Sequence, residues 1–243
     1  MAKVAIHWLE AVESTNDHAL TLALEGAPDG TVVAAKAQSH GRGRHGRTWH
    51  SPTGNVYLSL IHRPEGAADK LAGLTLQVGV CVAERLEARG LSPRLKWPND
   101  IMFGARKVGG ILTELHFVDD GRPVVIVGLG LNVNTPRDGF PADIADIATS
   151  LQAELGAPLD SAAVTAELAE ALVDGCRAFT RRGALDLAAF LSRCCTVGER
   201  VRIDPGAGVG TVTGVAEDGS LLVLFDGDNL PKPVRSGIVE HLR

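Results

Sequence analysis

The chain has 243 residues, 45% of them hydrophobic and 22% charged, with a formal net charge of −5. That length supports one substantial core and a small second domain, while the acidic balance excludes a protein that coats nucleic acid through bulk charge. The opening residues, Met1 to Glu10, lack the apolar stretch of a secretory signal, and no apolar run reaches the roughly 18 residues of a membrane span. Cys81, Cys176, Cys194 and Cys195 form no CxxC pair and are expected to be free thiols in a reducing, cytoplasmic setting.

Ser14-Thr15-Asn16-Asp17 offers helix caps ahead of Ala19, Leu20, Leu22 and Leu24, with Gly26 as a stop. Strands are expected over Thr31 to Ala37 and Val56 to Ile61, then a helix from Lys70 to Arg89, where Leu71, Leu74, Val78, Val82 and Leu86 recur at helical steps. A run of strands follows: Arg94 to Trp97, cut by Pro98, then Ile101 to Phe103, Lys107 to Phe117, and Val124 to Val133 after a turn at Asp119-Asp120-Gly121. Helices fit Ser161 to Arg181, capped by Asp160, and Ala184 to Cys194. Beyond Val197, short strands at Arg200 to Ile203, Gly210 to Val215 and Leu221 to Phe225 alternate with turns, as in a small β-barrel. Strands grouped together with helices flanking them indicate an α+β core.

Four motifs stand out. Gly41 to Arg47 holds three arginines and a histidine among three glycines. Arginine offers a bidentate fork to carboxylate or phosphate, and glycine lets backbone approach a ligand. Guanidinium groups this close repel one another, so the loop is expected to be unstructured without a counter-anion and to order over its ligand as a lid. A solvated basic turn and a nucleic-acid contact are the plainer alternatives. Gly41-x-Gly43-x-x-Gly46 also matches the dinucleotide-binding string, but the turn-rich path from Trp49 to Gly54 replaces the helix which that motif requires.

In Lys96-Trp97-Pro98-Asn99-Asp100, proline breaks the strand and leaves Asn99 and Asp100 where side chains can face a pocket, although an Asn-Asp turn would read the same way. In Arg106 to Leu112, Lys107 supplies a point charge, and Gly109-Gly110 either bares backbone for a ligand or marks a bulge. Strand alternation puts Gly128, Gly130, Asn132 and Asn134 on one face, a bare floor ending in amides, with Leu129, Leu131 and Val133 opposite.

Together Ser14-Thr15-Asn16, Gln38, the loop Gly41 to Trp49, Lys96 to Asp100, Lys107 to Leu112 and Gly128 to Asn134 resemble the ordered signature of the biotin–protein ligases. The resemblance covers about residues 8 to 134 and runs more loosely to Arg243. It implies an α+β fold, a mixed β-sheet flanked by helices of the class II aminoacyl-tRNA synthetase-like kind over 1–195, then an SH3-like barrel over 196–243. It also implies ATP-dependent activation of biotin to biotinyl-5′-AMP, and transfer of biotin to a lysine of a biotin carboxyl carrier protein domain. ATP, Mg²⁺ and biotin are the implied ligands, with no tightly bound prosthetic group.

By that resemblance, biotin is held by Ser14, Thr15, Asn16, Gln38, Gly41, Arg42, Gly43, Arg44, Lys107 and Gly110. The nucleotide meets Arg42, Arg44, Arg47, Trp49, Asn99, Lys107 and Asn132. Arg44 and Lys107 neutralise charge during catalysis, and Asp100 orients the acceptor lysine or takes its proton; metal ligands are not identified. Some members carry an N-terminal winged-helix domain that binds DNA. Only about a dozen residues precede Ser14 here, so DNA binding is not expected, and a homodimer is left open. A lipoate–protein ligase or octanoyltransferase shares the core fold but carries a different arginine/glycine loop. A non-catalytic biotin or nucleotide sensor is disfavoured by the presence of Arg44 and Lys107.

Overall fold

A computed structural model describes residues 4–64, 71–118, 121–204, 206 and 208–242. The elements run β1 Ile6–Leu9, α1 Thr15–Leu24, β2 Val32–Ala35, β3 Val56–His62, α2 Leu74–Glu87, β4 Arg94–Lys96, β5 Asp100–Phe103, β6 Arg106–Phe117 and β7 Pro123–Leu131. Then come α3 Leu151–Leu155, α4 Ser161–Arg182, α5 Leu187–Leu191, β8 Arg200–Asp204, β9 Gly208–Val215, β10 Leu221–Phe225, β11 Lys232–Val234 and β12 Ile238–His241. The first seven strands form one mixed sheet in the order β1-β2-β3-β7-β6-β5-β4. Only the β1–β2 pairing is parallel, and the other ladders are antiparallel.

Strands β2 and β3 are buried along their whole length because both faces are covered. Val32, Ala34, Leu58 and Leu60 pack toward α2 and α4 in the main core, while Val33 and Ile61 meet Ala19 and Ala23 of α1 on the other side. Strand β7 divides likewise: Val125, Val127, Leu129 and Leu131 join the main core, and Val124 and Ile126 lie beneath α1. Gly128 and Gly130 continue that second face beyond the helix. Helix N-termini fall on capping side chains as expected, Ser14 accepting from the Asp17 N–H and Asp160 from those of Ala162 and Ala163.

Several boundaries move. The expected start of a helix at Lys70 and the turn residues Asp119 and Asp120 lie outside the described residues. Helix α2 begins only after Gly73, whose φ of 87° cannot continue a right-handed turn. Helix α5 stops at Leu191 rather than Cys194, because the following backbone pairs with β4: Leu95 N donates to Arg193 O and Cys195 N to Leu95 O, each at 2.9 Å. Strands β1, β11 and β12 and helix α3 were not anticipated. All four cysteines are free, and burial pushes the Cys176 thiol upward.

The C-terminal strands form a five-stranded antiparallel sheet in the order β11-β10-β9-β8-β12. Among the described residues no ladder joins β11 to β12, so the small all-β unit expected beyond Val197 is seen as an antiparallel sheet without a closing pair. It is packed on the large sheet, since Val201, Ile203, Val212, Leu221 and Val223 belong to the same core cluster. Trp97 fastens the two: its N–H donates to Thr196 Oγ1 at 3.0 Å, and its indole Nε1 to Gly219 O at 2.9 Å.

Asp29, between α1 and β2, holds three elements together. Its Oδ1 pairs with His62 Nδ1 at 3.0 Å and accepts the Arg63 N–H at 2.9 Å; its Oδ2 accepts from Arg177 of α4 at 3.2 Å. Burial alone would raise its pKa. The bond to His62, the Arg63 N–H, the His62 charge and the bond from Arg177 outweigh burial and hold it at about 2, against 3.8. A carboxylate whose pKa falls on folding stabilises the fold above its unfolded pKa and loses that contribution as pH drops through the folded one. The window here is about pH 4 down to 2. Asp29→Asn should therefore remove on the order of 1–2 kcal/mol of acid-dependent stability, allowing for solvent screening. Urea denaturation of both proteins from pH 5 to 2 checks it: the variant should lie lower at pH 5 and converge with the parent near pH 2.

Candidate functional site

The first turn of α1 meets the sheet edge-on and forms a polar floor. Thr15 donates through its backbone N–H to Gln38 Oε1 at 2.8 Å and through its hydroxyl at 3.1 Å. Gln38 Nε2 donates to Ser51 Oγ at 3.0 Å, and Ser51 in turn to Trp49 O at 2.8 Å. Ser59 Oγ lies 2.8 Å from Thr15 Oγ1 and 2.6 Å from Asn16 Oδ1. Asn16 Nδ2 donates to Glu114 Oε2 at 2.6 Å. Each amide and hydroxyl on the floor is thus fixed by a neighbour on a strand or loop, which presets the donors and acceptors that face the cavity.

The loop from Gly41 to Trp49, expected to be unstructured, is a hydrogen-bonded hairpin. Gly43 N donates to Arg47 O at 2.7 Å and Trp49 N to Gly41 O at 2.8 Å, around a 3-10 turn at Arg44–Gly46. The protein itself supplies the counter-charge. Arg42 forks onto Glu114 at 3.0 and 2.8 Å and also reaches Asp17 at 2.7 Å, which removes much of the repulsion that predicted disorder. Gly41 is buried behind the wall, where a Cβ would strike Ser51 Oγ and sit 2.5 Å from Trp49 O.

The bare strands carry side chains rather than an open floor. Gly110 and Gly130 are register partners across β6 and β7, and Trp49 lies over both. A Cβ at Gly130 would stand 2.5 Å from Trp49 Nε1, and one at Gly110 3.6 Å from Trp49 Cζ3. A Cβ at Gly128 would collide with the Asn16 amide. These glycines accordingly admit two protein side chains onto the sheet. Lys107 Nζ sits 5.2 Å from the centre of the Trp49 ring, within cation–π range, and pairs with Asp100 at 2.5 Å. Trp49 Nε1 is buried and has no hydrogen-bond partner among the described residues.

Arg44 is half-buried, and among the described residues its guanidinium makes long hydrogen bonds to neutral oxygens, Asn99 Oδ1 at 3.5 Å and Gly237 O at 3.4 Å. Burial lowers its pKa, Asp100 opposing and Arg47 adding to the fall. A desolvated cation held by two long neutral contacts favours an incoming anion. Asn99 is itself locked to β6, donating to Ile111 O at 2.9 Å.

One cavity collects Ser14, Thr15, Asn16, Gln38, Arg42, Gly43, Arg44, Arg47, Trp49, Asn99, Asp100, Lys107 and Gly110. Gly41 and Asn132 are not on its wall. Strand β7 ends at Leu131, although Val133 still joins Leu129 and Leu131 in the main core, and the buried Asn132 amide donates to Thr149 O at 3.0 Å. It thereby ties down the backbone that brackets Lys107, which donates to Ile147 O at 2.7 Å and accepts from Thr149 N at 2.9 Å. Sequence reasoning missed Glu114, Ser59, and Gly237 to Val239, the last from the C-terminal sheet. Period-two counting from Gly110 does place Glu114 on the cavity face; the other two depend on tertiary contacts. Among the described residues no group of three His, Cys, Asp or Glu could hold a metal.

The Biotin/lipoate A/B protein ligase family matches residues 8–134. The chain is 44% identical over 157 residues to the bifunctional ligase/repressor BirA of Bacillus spizizenii, covering 64% of this chain and 48% of that protein. It spans about half the length of such relatives. It is 33% identical over 222 residues to the biotin–[acetyl-CoA-carboxylase] ligase of Paracoccus denitrificans, covering 88% of this chain and 92% of the other. The solved Aquifex aeolicus biotin protein ligase in complex with biotin and ATP superposes with a TM-score of 0.83 at 31% identity, covering 98% of each chain.

If Trp49 is what the glycine vacancy serves, Gly130→Ala should destabilise the protein by about 1–3 kcal/mol through overpacking. In a Trp49→Ala background the same substitution should cost almost nothing, because the struck ring is gone. Urea denaturation of the four proteins checks it. Equal losses in both backgrounds would show that Trp49 is not what the methyl meets.

Proposed function

Because the chain belongs to the biotin/lipoate A/B protein ligase family, we propose that it activates biotin with ATP as biotinyl-5′-AMP and transfers the biotinyl group to a lysine of a biotin carboxyl carrier protein domain. The observation that carries this reading is the convergence of Arg44 and Lys107 on a cavity whose floor is the fixed polar network of Thr15, Asn16 and Gln38. In this reading Ser14, Thr15, Asn16, Gln38, Gly43 and Gly110 shape the biotin end, with Gly41 behind them. Arg44, Arg47, Trp49 and Asn99 face the nucleotide, and Asn132 acts through the backbone around Lys107. Residues 1–195 carry the chemistry, and 196–243 complete the cavity through Gly237 to Val239. A cytoplasmic setting, with ATP at hand, suits it, and no described helix is long and apolar enough to cross a membrane.

In the first step a biotin carboxylate oxygen attacks the α-phosphorus, the bond to the bridging oxygen breaks, and pyrophosphate leaves. Two anions must be brought together. Lys107 and Arg44 offset that repulsion in a site partly shielded from water. Mg²⁺ would add charge neutralisation among the phosphates. Among the described residues no group of three His, Cys, Asp or Glu forms a dedicated site for it.

In the second step an uncharged lysine amine attacks the acyl carbon of the mixed anhydride, and AMP departs with the electron pair of the broken bond. When Lys107 turns to the α-phosphate, Asp100 is left without its partner and can accept the proton that the attacking amine loses. Desolvation by the hairpin protects the anhydride from hydrolysis.

A biotin-dependent exchange of labelled pyrophosphate into ATP tests the first step, and a mass gain of one biotinyl group on an isolated carrier domain tests the second. Exchange that requires lipoate and ignores biotin would transfer the protein to the lipoate branch; binding of biotin without exchange would make it a sensor. Lys107→Ala should lower the exchange rate about 10²- to 10³-fold, the cost of removing one preorganised contact to developing charge. Undiminished exchange in that variant would overturn the role given to Lys107.

A further inference from the structure

We propose that Glu114 is a positioning residue that latches the arginine hairpin to the polar floor. The inference rests on the reading above for the identity of the ligand, but the contacts stand without it. Glu114 lies on β6, two strand steps beyond Gly110 and on the same face. Its Oε2 accepts both from Asn16 Nδ2 at 2.6 Å and from Arg42 Nη2 at 2.8 Å, while its Oε1 accepts from Arg42 Nη1 at 3.0 Å. One carboxylate therefore touches the floor and the hairpin at once.

The charges around it favour this assignment. Arg42 is met by Glu114 and, from the next residue after Asn16, by Asp17 at 2.7 Å. Two carboxylates on one guanidinium leave Arg42 with no unbalanced charge for a polyphosphate, which separates it from Arg44, whose hydrogen bonds among the described residues go to neutral oxygens. Arg42 thus serves as the hairpin's anchor. Asn16 cannot retreat from Glu114, because its Oδ1 lies 2.6 Å from Ser59 Oγ and its amide rests against Gly128. The Arg42–Glu114 fork is therefore tied to a fixed point on the floor.

The hairpin carries its own probe, since trypsin cleaves after Arg42, Arg44 and Arg47, and the last two sites remain in every variant used. In ligand-free protein, Glu114→Gln keeps an acceptor for Asn16 but loses the charge, and cleavage after Arg44 and Arg47 should accelerate roughly fivefold, as expected for a partly exposed charge network. The same substitution in an Arg42→Gln background should change the cleavage rate little, since the latch is already broken. Asp17→Asn, on the solvent side, should accelerate cleavage less and serves if Glu114→Gln does not fold. Biotin should also leave Glu114→Gln roughly fivefold faster than the parent. Unchanged cleavage overturns the latch, as does an equal acceleration with and without Arg42. Failure of the parent to bind biotin would sink the functional reading, while the protease comparison would still decide the latch.

Discussion

The site is organised around vacant space above two neighbouring strands. Gly110 faces Gly130 across β6 and β7, and Gly128 follows on the same side, so consecutive Cβ positions are missing in mid-sheet. On the opposite face of β7 the alternation is unbroken, with Val125, Val127, Leu129 and Leu131 in the main core. One strand thus anchors the hydrophobic interior with alternate residues and leaves room with the others. Trp49 settles over one part of that room and Asn16 over the rest. The two come from segments separated by β2, and the vacancy is what lets a helix N-terminus and a loop reach the same patch of backbone.

With those anchors set, electrostatics divides the cations by function. The acidic chain concentrates Arg42, Arg44, Arg47 and Lys107 around one cavity. Arg42 is neutralised by Asp17 and Glu114, and Lys107 by Asp100. Among the described residues Arg44 forms no ion pair with a carboxylate, and burial weakens its hold on its proton. Desolvation of a cation is costly unless an anion arrives, so the cavity is preset for negative charge at one arginine and holds a second cation, Lys107, in a pair that an anion can exchange into. Trp49 stabilises that second cation through its ring without competing for its hydrogen-bond donors.

Much of this was legible in the chain. Ser14 and Asp160 marked helix starts because a side-chain oxygen before an apolar repeat has few other uses. The alternation of glycine with leucine from Gly128 to Leu131 correctly separated an apolar face from a bare one. What the alternation could not say was which groups cover the bare face, since Trp49 and Asn16 are remote in sequence. The hairpin was misjudged for the same reason: local reading counted three cations, while one of their counter-charges, Glu114, stands 72 residues from Arg42. For Asn132 the alternation could not show that, beyond the end of β7 at Leu131, its amide meets the Thr149 carbonyl.

The C-terminal sheet was the least readable part, and its importance follows from Trp97. That residue is almost wholly buried, and both its donors leave the large sheet, one for Thr196 and the other for Gly219. The residues after it, Asn99 and Asp100, line the cavity. A single short segment therefore fastens the C-terminal sheet and presents polar groups to the site. Gly237 to Val239 return from that sheet to the cavity wall, and Gly237 O accepts from Arg44. A shift of the C-terminal sheet must then be felt at Arg44 from two directions, through Asn99 Oδ1 and through the Gly237 carbonyl. The sheet contributes no acid, base or cation to the chemistry proposed here. Its part is to wall the cavity beside the half-buried guanidinium and to offer it a carbonyl.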